Sequence, residues 1–118
     1  MAQFKELSIL KTPNGILPHL PLTGRWLEEI GFTVGQMVSV SFHDSCLTLT
    51  TGTAVDNYSC VLIVESRLAR KRPRTQLLLN GFLLKKYGLH IGDRVALSLL
   101  PNQIQITKIN RFTIAETA

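Results

Sequence analysis

Leu20 to Thr50, LPLTGRWLEEIGFTVGQMVSVSFHDSCLTLT, recurs without a gap as Leu77 to Thr107, LLLNGFLLKKYGLHIGDRVALSLLPNQIQIT, at a constant spacing of 57. Nine of the 31 positions are identical, where about two would follow from average residue usage. The identities fall where backbone geometry or core packing asks for them: Gly24/Gly81, Gly31/Gly88, Gly35/Gly92, Leu27/Leu84 and Val38/Val95, preceded by Leu20/Leu77 and Leu22/Leu79. Apolar exchanges such as Trp26/Leu83, Phe32/Leu89, Phe42/Leu99 and Leu47/Ile104 extend the agreement, so both copies should adopt one fold.

Size makes the copies interdependent. A segment of about 50 residues buries too little apolar surface to offset its conformational entropy, so the halves must share a core. The 118 residues therefore read as a single domain of two repeats: a first module at 4–50, a linker at 51–57, a second module at 58–109 and a tail at 110–118. An apolar fraction of 45% with 18% charged residues indicates a folded globule. No apolar run approaches the roughly 20 residues of a membrane span. The start, MAQFKELSIL, has no signal-peptide layout, which leads to the expectation of a cytoplasmic protein with no membrane partner. Cys46 and Cys60 form no CxxC pair, and a reducing compartment makes free thiols the default over a disulfide between them.

Each copy reads as strand, strand, short helix, strand, strand. In the first, FKELSIL and ILPHLPL are strands, and Thr23 or Gly24 opens a helix through RWLEEI that Gly31 closes in the left-handed conformation. In the second, YSCVLIV and TQLLL are strands, Asn80 is the N-cap of FLLKKY, and Gly88 closes it. Helices this short do not stand alone in water, so Trp26, Leu27 and Ile30, and Leu83, Leu84 and Tyr87, should pack on the sheets. After the glycine turns TVGQ and HIGD comes strict alternation. Val38, Val40 and Phe42 face inward against Ser39 and Ser41, as Val95, Leu97 and Leu99 do against Ala96 and Ser98. HDS and PNQ turn the chain into return strands with Leu47, Leu49, Ile104 and Ile106 inward. RFTI in the tail is a further short strand candidate.

Thirteen basic against eight acidic residues give a net charge of +5 and a pI near 9.6, which points towards polyanions. Distribution says more than the total. Arg67, Arg70, Lys71, Arg72 and Arg74 lie in the nine-residue stretch RLARKRPRT with no acid among them, which reads as a basic loop before the second strand of the second copy. Arg25, Lys85, Lys86 and Arg94 extend this candidate nucleic-acid surface, and the helix pair Glu28–Glu29 of the first copy becomes Lys85–Lys86 in the second. Positive potential is thus biased to the second copy.

Two stretches, LPLTGRWLEEIGFTVGQMVSV and LLLNGFLLKKYGLHIGDRVAL, resemble the AbrB-type swapped-hairpin pattern of apolar strand, short helix, Gly-closed turn and hairpin. The first copy resembles the SymE toxin family more closely still, through Pro18, Leu20, Leu22, Gly24, Trp26, Leu27, Gly31, Phe32, Gly35, Val38, Val40, Cys46, Leu47, Leu49 and Thr50. Ile30 and Ser45 depart from that family's small residue and glycine, and the second copy lacks the Trp and the Cys. The resemblance implies a mainly β fold with short helices: an AbrB-like swapped-hairpin β-barrel built as an intrachain pseudo-dimer of two ββαββ repeats, a monomer or a homodimer. Gly24, Trp26, Gly31, Gly35, Gly81, Gly88 and Gly92 are its structural positions. It also implies an RNA- or DNA-binding protein of type I toxin–antitoxin systems. The alternatives are a SymE-like RNA endonuclease toxin, or an AbrB-like transcriptional regulator or antitoxin-like protein-interaction module.

Hydrolysis of a phosphodiester requires a general base, an acid or metal, and a cation for the developing charge. His43 and Asp44, beside Cys46 in one hairpin turn, are the weak catalytic candidates, in a place where turns favour Asp and Ser for backbone reasons anyway. His43, Cys46 and Cys60 are too scattered for a zinc site. The sequence therefore leads us to expect no metal, no cofactor and a binding protein.

Overall fold

The computed structural model describes residues 3–12, 15, 17–52, 60–69 and 72–109, with Cys60 and residues 67–69 described in backbone only. Most of the linker, the tail with RFTI, and Arg70 and Lys71 lie outside the described residues. The order is β1 (Gln3–Ser8), β2 (Leu10–Lys11), β3 (Pro18–Thr23), α1 (Arg25–Glu29), β4 (Met37–His43), β5 (Cys46–Thr51), β6 (Cys60–Ile63), β7 (Glu65–Ala69), β8 (Arg72–Leu79), α2 (Gly81–Lys86), β9 (Arg94–Leu100) and β10 (Gln103–Lys108). The protein is mainly β with two short helices and two open antiparallel sheets, ordered β1-β9-β10-β5-β4-β6 and β2-β3-β8-β7. Among the described residues no helix is long and apolar enough to cross a membrane.

Both sheets are built from both halves. β5 pairs with β10 so that Thr48 faces its repeat counterpart Gln105, flanked by Leu47 opposite Ile106 and Leu49 opposite Ile104. β3 pairs with β8 in the same manner, Pro21 facing its counterpart Leu78. Exchanging the halves leaves both pairings unchanged, which is the register of an approximate two-fold relation. The helices cross over as well, α1 packing on β8 and α2 on β3.

The expected strand FKELSIL breaks at Ile9 into β1 and β2, while YSCVLIV ends at Val64 and is followed at once by β7, which was not expected. Ile9 and Val64 are 2% and 1% exposed, and at each the chain passes from the larger sheet to the smaller. The cause lies in the opposite half. Ile9 donates its N–H to Asp93 O (2.8 Å) and accepts from Gly92 N–H (2.9 Å), while Val64 donates to Gln36 O (3.0 Å) and accepts from Gly35 N–H (2.9 Å). Each apolar residue is thus clamped by the other half's glycine turn. β1 pairs with β9, and β6 with β4, on the same principle.

The core follows the alternation. Leu20, Leu22, Leu47, Leu49, Val38, Val40, Val95, Leu97, Ile104 and Ile106 are buried, joined by Leu27 and Leu84 from the helices. Asn80 caps α2 as expected, its side chain accepting from Leu83 N–H at 2.9 Å. Gly24 holds the same place before α1 with φ 140° and no side-chain cap. Gly31, at φ 102°, closes α1, and a Cβ there would run into the side chain of Asn102, whose N–H donates to Ile30 O at 2.6 Å. Trp26 packs against the core as expected, though only at its edge, partly buried, with its Nε1–H bonded to Thr23 O at 3.1 Å and the Lys5 ammonium 5.2 Å from its ring. The expectation for Phe42 is corrected: at the end of β4, it is 40% exposed rather than inward.

Asp93 ties the turn before β9 to the end of β10. Its Oδ2 accepts from His90 N–H at 2.8 Å and lies 3.2 Å from Lys108 Nζ. Partial burial pushes this carboxyl up, but the His90 N–H, the Lys108 ammonium and the His90 charge together hold it below the ordinary carboxylate value. Because the folded pKa is depressed, the stabilisation is present above the unfolded carboxyl value of about 3.9 and is lost as pH falls through the folded one. Asp93→Asn is therefore expected to lower the melting temperature at neutral pH and to make melting less sensitive to acid. An unchanged pH–melting profile would show the contact to be without energetic consequence.

Candidate nucleic-acid interface

The stretch expected as a basic loop is largely a β-hairpin. β7 and β8 form its arms, with Arg67 opposite Arg74 and Ala69 opposite Arg72. Arg72, Pro73 and Arg74 are exposed and Thr75, Gln76 and Leu77 are buried, so β8 passes from surface to core along its length with no period-two alternation to mark it in the sequence.

The fold adds a third arginine from the other half. Because α1 packs on β8, Arg25 joins Arg72 and Arg74 around an open cavity of about 340 Å³ also lined by Gly24, Glu28, Pro73 and Thr75. Two bonds close the seam: Gly24 N–H donates to Thr75 O at 3.0 Å, and the Thr75 hydroxyl donates to Glu28 Oε1 at 2.6 Å. Arg25, Arg72 and Arg74 are exposed, and among the described residues none makes an ion pair. Three guanidinium groups face one carboxylate, and guanidinium is the side chain best matched to phosphate oxygens.

The remaining basic candidates lie elsewhere. Arg94 is engaged within the β1–β9 pair: its Nε donates to Glu6 Oε1 at 2.6 Å and its Nη1 to Ser8 Oγ at 3.3 Å. Lys85 and Lys86 stand exposed on α2, away from the cavity, and Arg67 is placed by register alone. The position related to the cavity in the second half carries Phe82 for Arg25, Lys85 for Glu28 and Leu17 for Arg74, so the arginine cleft occurs once. Sequence reading missed the Thr75–Glu28 seam, and no local signal announces it.

His43 and Asp44 are at the tip of the β4–β5 turn, where Asp44 and Ser45 take φ 51° and 62°. His43 Nε2 lies 3.2 Å from Asp44 Oδ2, with the two side chains 88% and 87% exposed, and no wall there excludes water. Cys46 is a free thiol, its Sγ 3.7 Å from Thr48 Oγ1. Among the described residues no three potential metal ligands gather.

Comparison with known proteins bears on the first half. Comparisons with curated proteins and with solved structures give no match. A family model described as toxin SymE, type I toxin–antitoxin system, matches residues 12–51, less than half of the chain, which carry β3, α1, β4 and β5 and contribute Arg25 to the cleft. Residues 12–51 are thus similar to the SymE toxin family.

Proposed function

We propose that this protein binds nucleic acid, RNA or DNA, as a member of a toxin–antitoxin system, holding backbone phosphates in the cleft of Arg25, Arg72 and Arg74. The observation that carries the reading is the meeting of three unpaired guanidinium groups from opposite halves on one open cavity. The open β4–β5 turn favours binding over hydrolysis, since His43 and Asp44 are almost fully exposed to water, which screens any charge stabilisation there. We further propose that the fold is an AbrB-like swapped-hairpin pseudo-dimer. The self-facing registers of β3–β8 and β5–β10, and the crossed clamps on Ile9 and Val64, support it.

The salt dependence of affinity tests the cleft. Each phosphate contact releases counterions, so log K falls with log salt by about 0.9 per contact on duplex and about 0.7 on single strands. Replacing Arg25, Arg72 and Arg74 with Ala should flatten that slope by about two to three units and weaken binding evenly across sequences. Melting should hardly change, because exposed unpaired charges contribute little to folding. A triple variant with the parent's affinity and slope would remove the cleft from the interface and favour a protein partner.

A further inference from the structure

Outside the arginine cleft, α2 presents a surface with no folding rationale. Phe82 is 75% exposed, the most exposed of the large apolar side chains described. Lys86 lies four residues on and so shares its helix face. The Lys86 ammonium is 5.5 Å from the centre of the Tyr87 ring, and that ring stacks on Phe42 from the other half, centroids 4.4 Å apart and planes 14° from parallel. Phe82, Lys86, Tyr87 and Phe42 thus form a strip of rings interleaved with a cation, with Lys85 exposed beside it and no acid on the helix. The related positions of the first half are Arg25, Glu29, Ile30 and Leu99, which have neither rings nor positive charge at the second place.

A ring left in water adds nothing to the core, whereas an exposed ring flanked by ammonium groups is what an unpaired base and its phosphate require. Every base has a π-face, and stacking on it tolerates any sequence. Bases within a duplex have their faces covered by neighbours, so such a strip discriminates against duplex. The positive charge on both sides selects a polyanion over an apolar peptide.

We propose that α2 is a stacking platform for single-stranded nucleic acid, Phe82 taking a base and Lys85 and Lys86 its flanking phosphates. The proposal rests on the nucleic-acid reading above but on residues separate from the arginine cleft, and they lie outside the segment matched to the toxin family.

The test uses the full chain with labelled oligouridine, oligothymidine and a duplex of equal length, read by fluorescence anisotropy. Phe82→Ala is expected to weaken single-strand binding by about five- to a hundredfold, the range seen when a stacking ring is removed. Duplex affinity should not change. Nor should the salt slope on single strands, because a stacked ring releases no counterion. Phe82→Trp should restore the single-strand affinity, and equal melting temperatures would show that each variant folds. Weakening on one single-stranded polymer alone supports the platform and shows which of the two it accepts. Parent-level single-strand binding by Phe82→Ala overturns the platform, as does equal weakening on duplex. If the arginine variant still flattens the slope in that case, the cleft stands and only the platform falls. A parent chain that binds none of the three probes removes both.

Discussion

A chain ended after Gly52 is expected to have no folded monomer. In that fragment β1 loses β9, β3 loses β8, β5 loses β10, and α1 loses the strand it packs on. What remains is the β4–β5 hairpin and the two-residue pairing of β2 with β3, and isolated hairpins are marginal in water. Leu20, Leu22, Leu27, Leu47 and Leu49, all at or below 1% exposure in the whole protein, would face solvent. The same registers supply the remedy. Since Thr48 and Pro21 face their own counterparts, two fragments can pair β5 with β5 and β3 with β3. Circular dichroism and sedimentation should therefore show an unfolded chain at low concentration and a folded dimer at high concentration, with a melting temperature that rises with concentration. A folded monomeric fragment would contradict the shared core.

Phe32→Ala is expected to cost about 3 to 5 kcal/mol by denaturant titration, the range for removing a buried aromatic ring. Phe32 follows α1 directly, is 0% exposed, and is held by its N–H to Leu27 O at 2.8 Å, so the cavity has no route to solvent. Trp26→Ala should cost less despite the larger ring, because that ring lies at the core's margin and keeps a polar contact to Thr23. By size alone the order would be reversed. A loss at Trp26 equal to or above that at Phe32 would show that partial burial underestimates the indole's packing.

Much of this protein was legible because it is local. Alternation assigned β4, β5, β9 and β10 and most of their inward residues, Phe42 and Ser39 of β4 excepted, since a strand's faces differ by one position wherever it runs. Asn80 announced the start of α2, because a cap bonds an N–H three residues away. The glycines at 31 and 88 announced the helix ends through the positive φ they adopt. The segment 12–51 carried the family resemblance for the same reason: its pattern of turns and apolar positions is complete within itself.

Tertiary structure decided what depends on the other half. Nothing near Ile9 or Val64 marks a break, because the groups that bond their backbones are the turns at Gly92–Asp93 and Gly35–Gln36. The basic stretch became a hairpin once Leu77 and Leu79 paired with Leu22 and Leu20, which fixes β8 in the smaller sheet and leaves its outer end, Arg72 to Arg74, exposed. Arg25, far from those arginines in sequence, joined them on one cavity only when α1 packed on β8. Phe42 turned from an inward expectation into an exposed ring stacked on the partly buried Tyr87 of the second half. Periodicity and capping are properties of neighbours along the chain. The cleft and the stack are properties of the contact between the two halves of the chain, and which half lends which side chain emerges only when their strands pair.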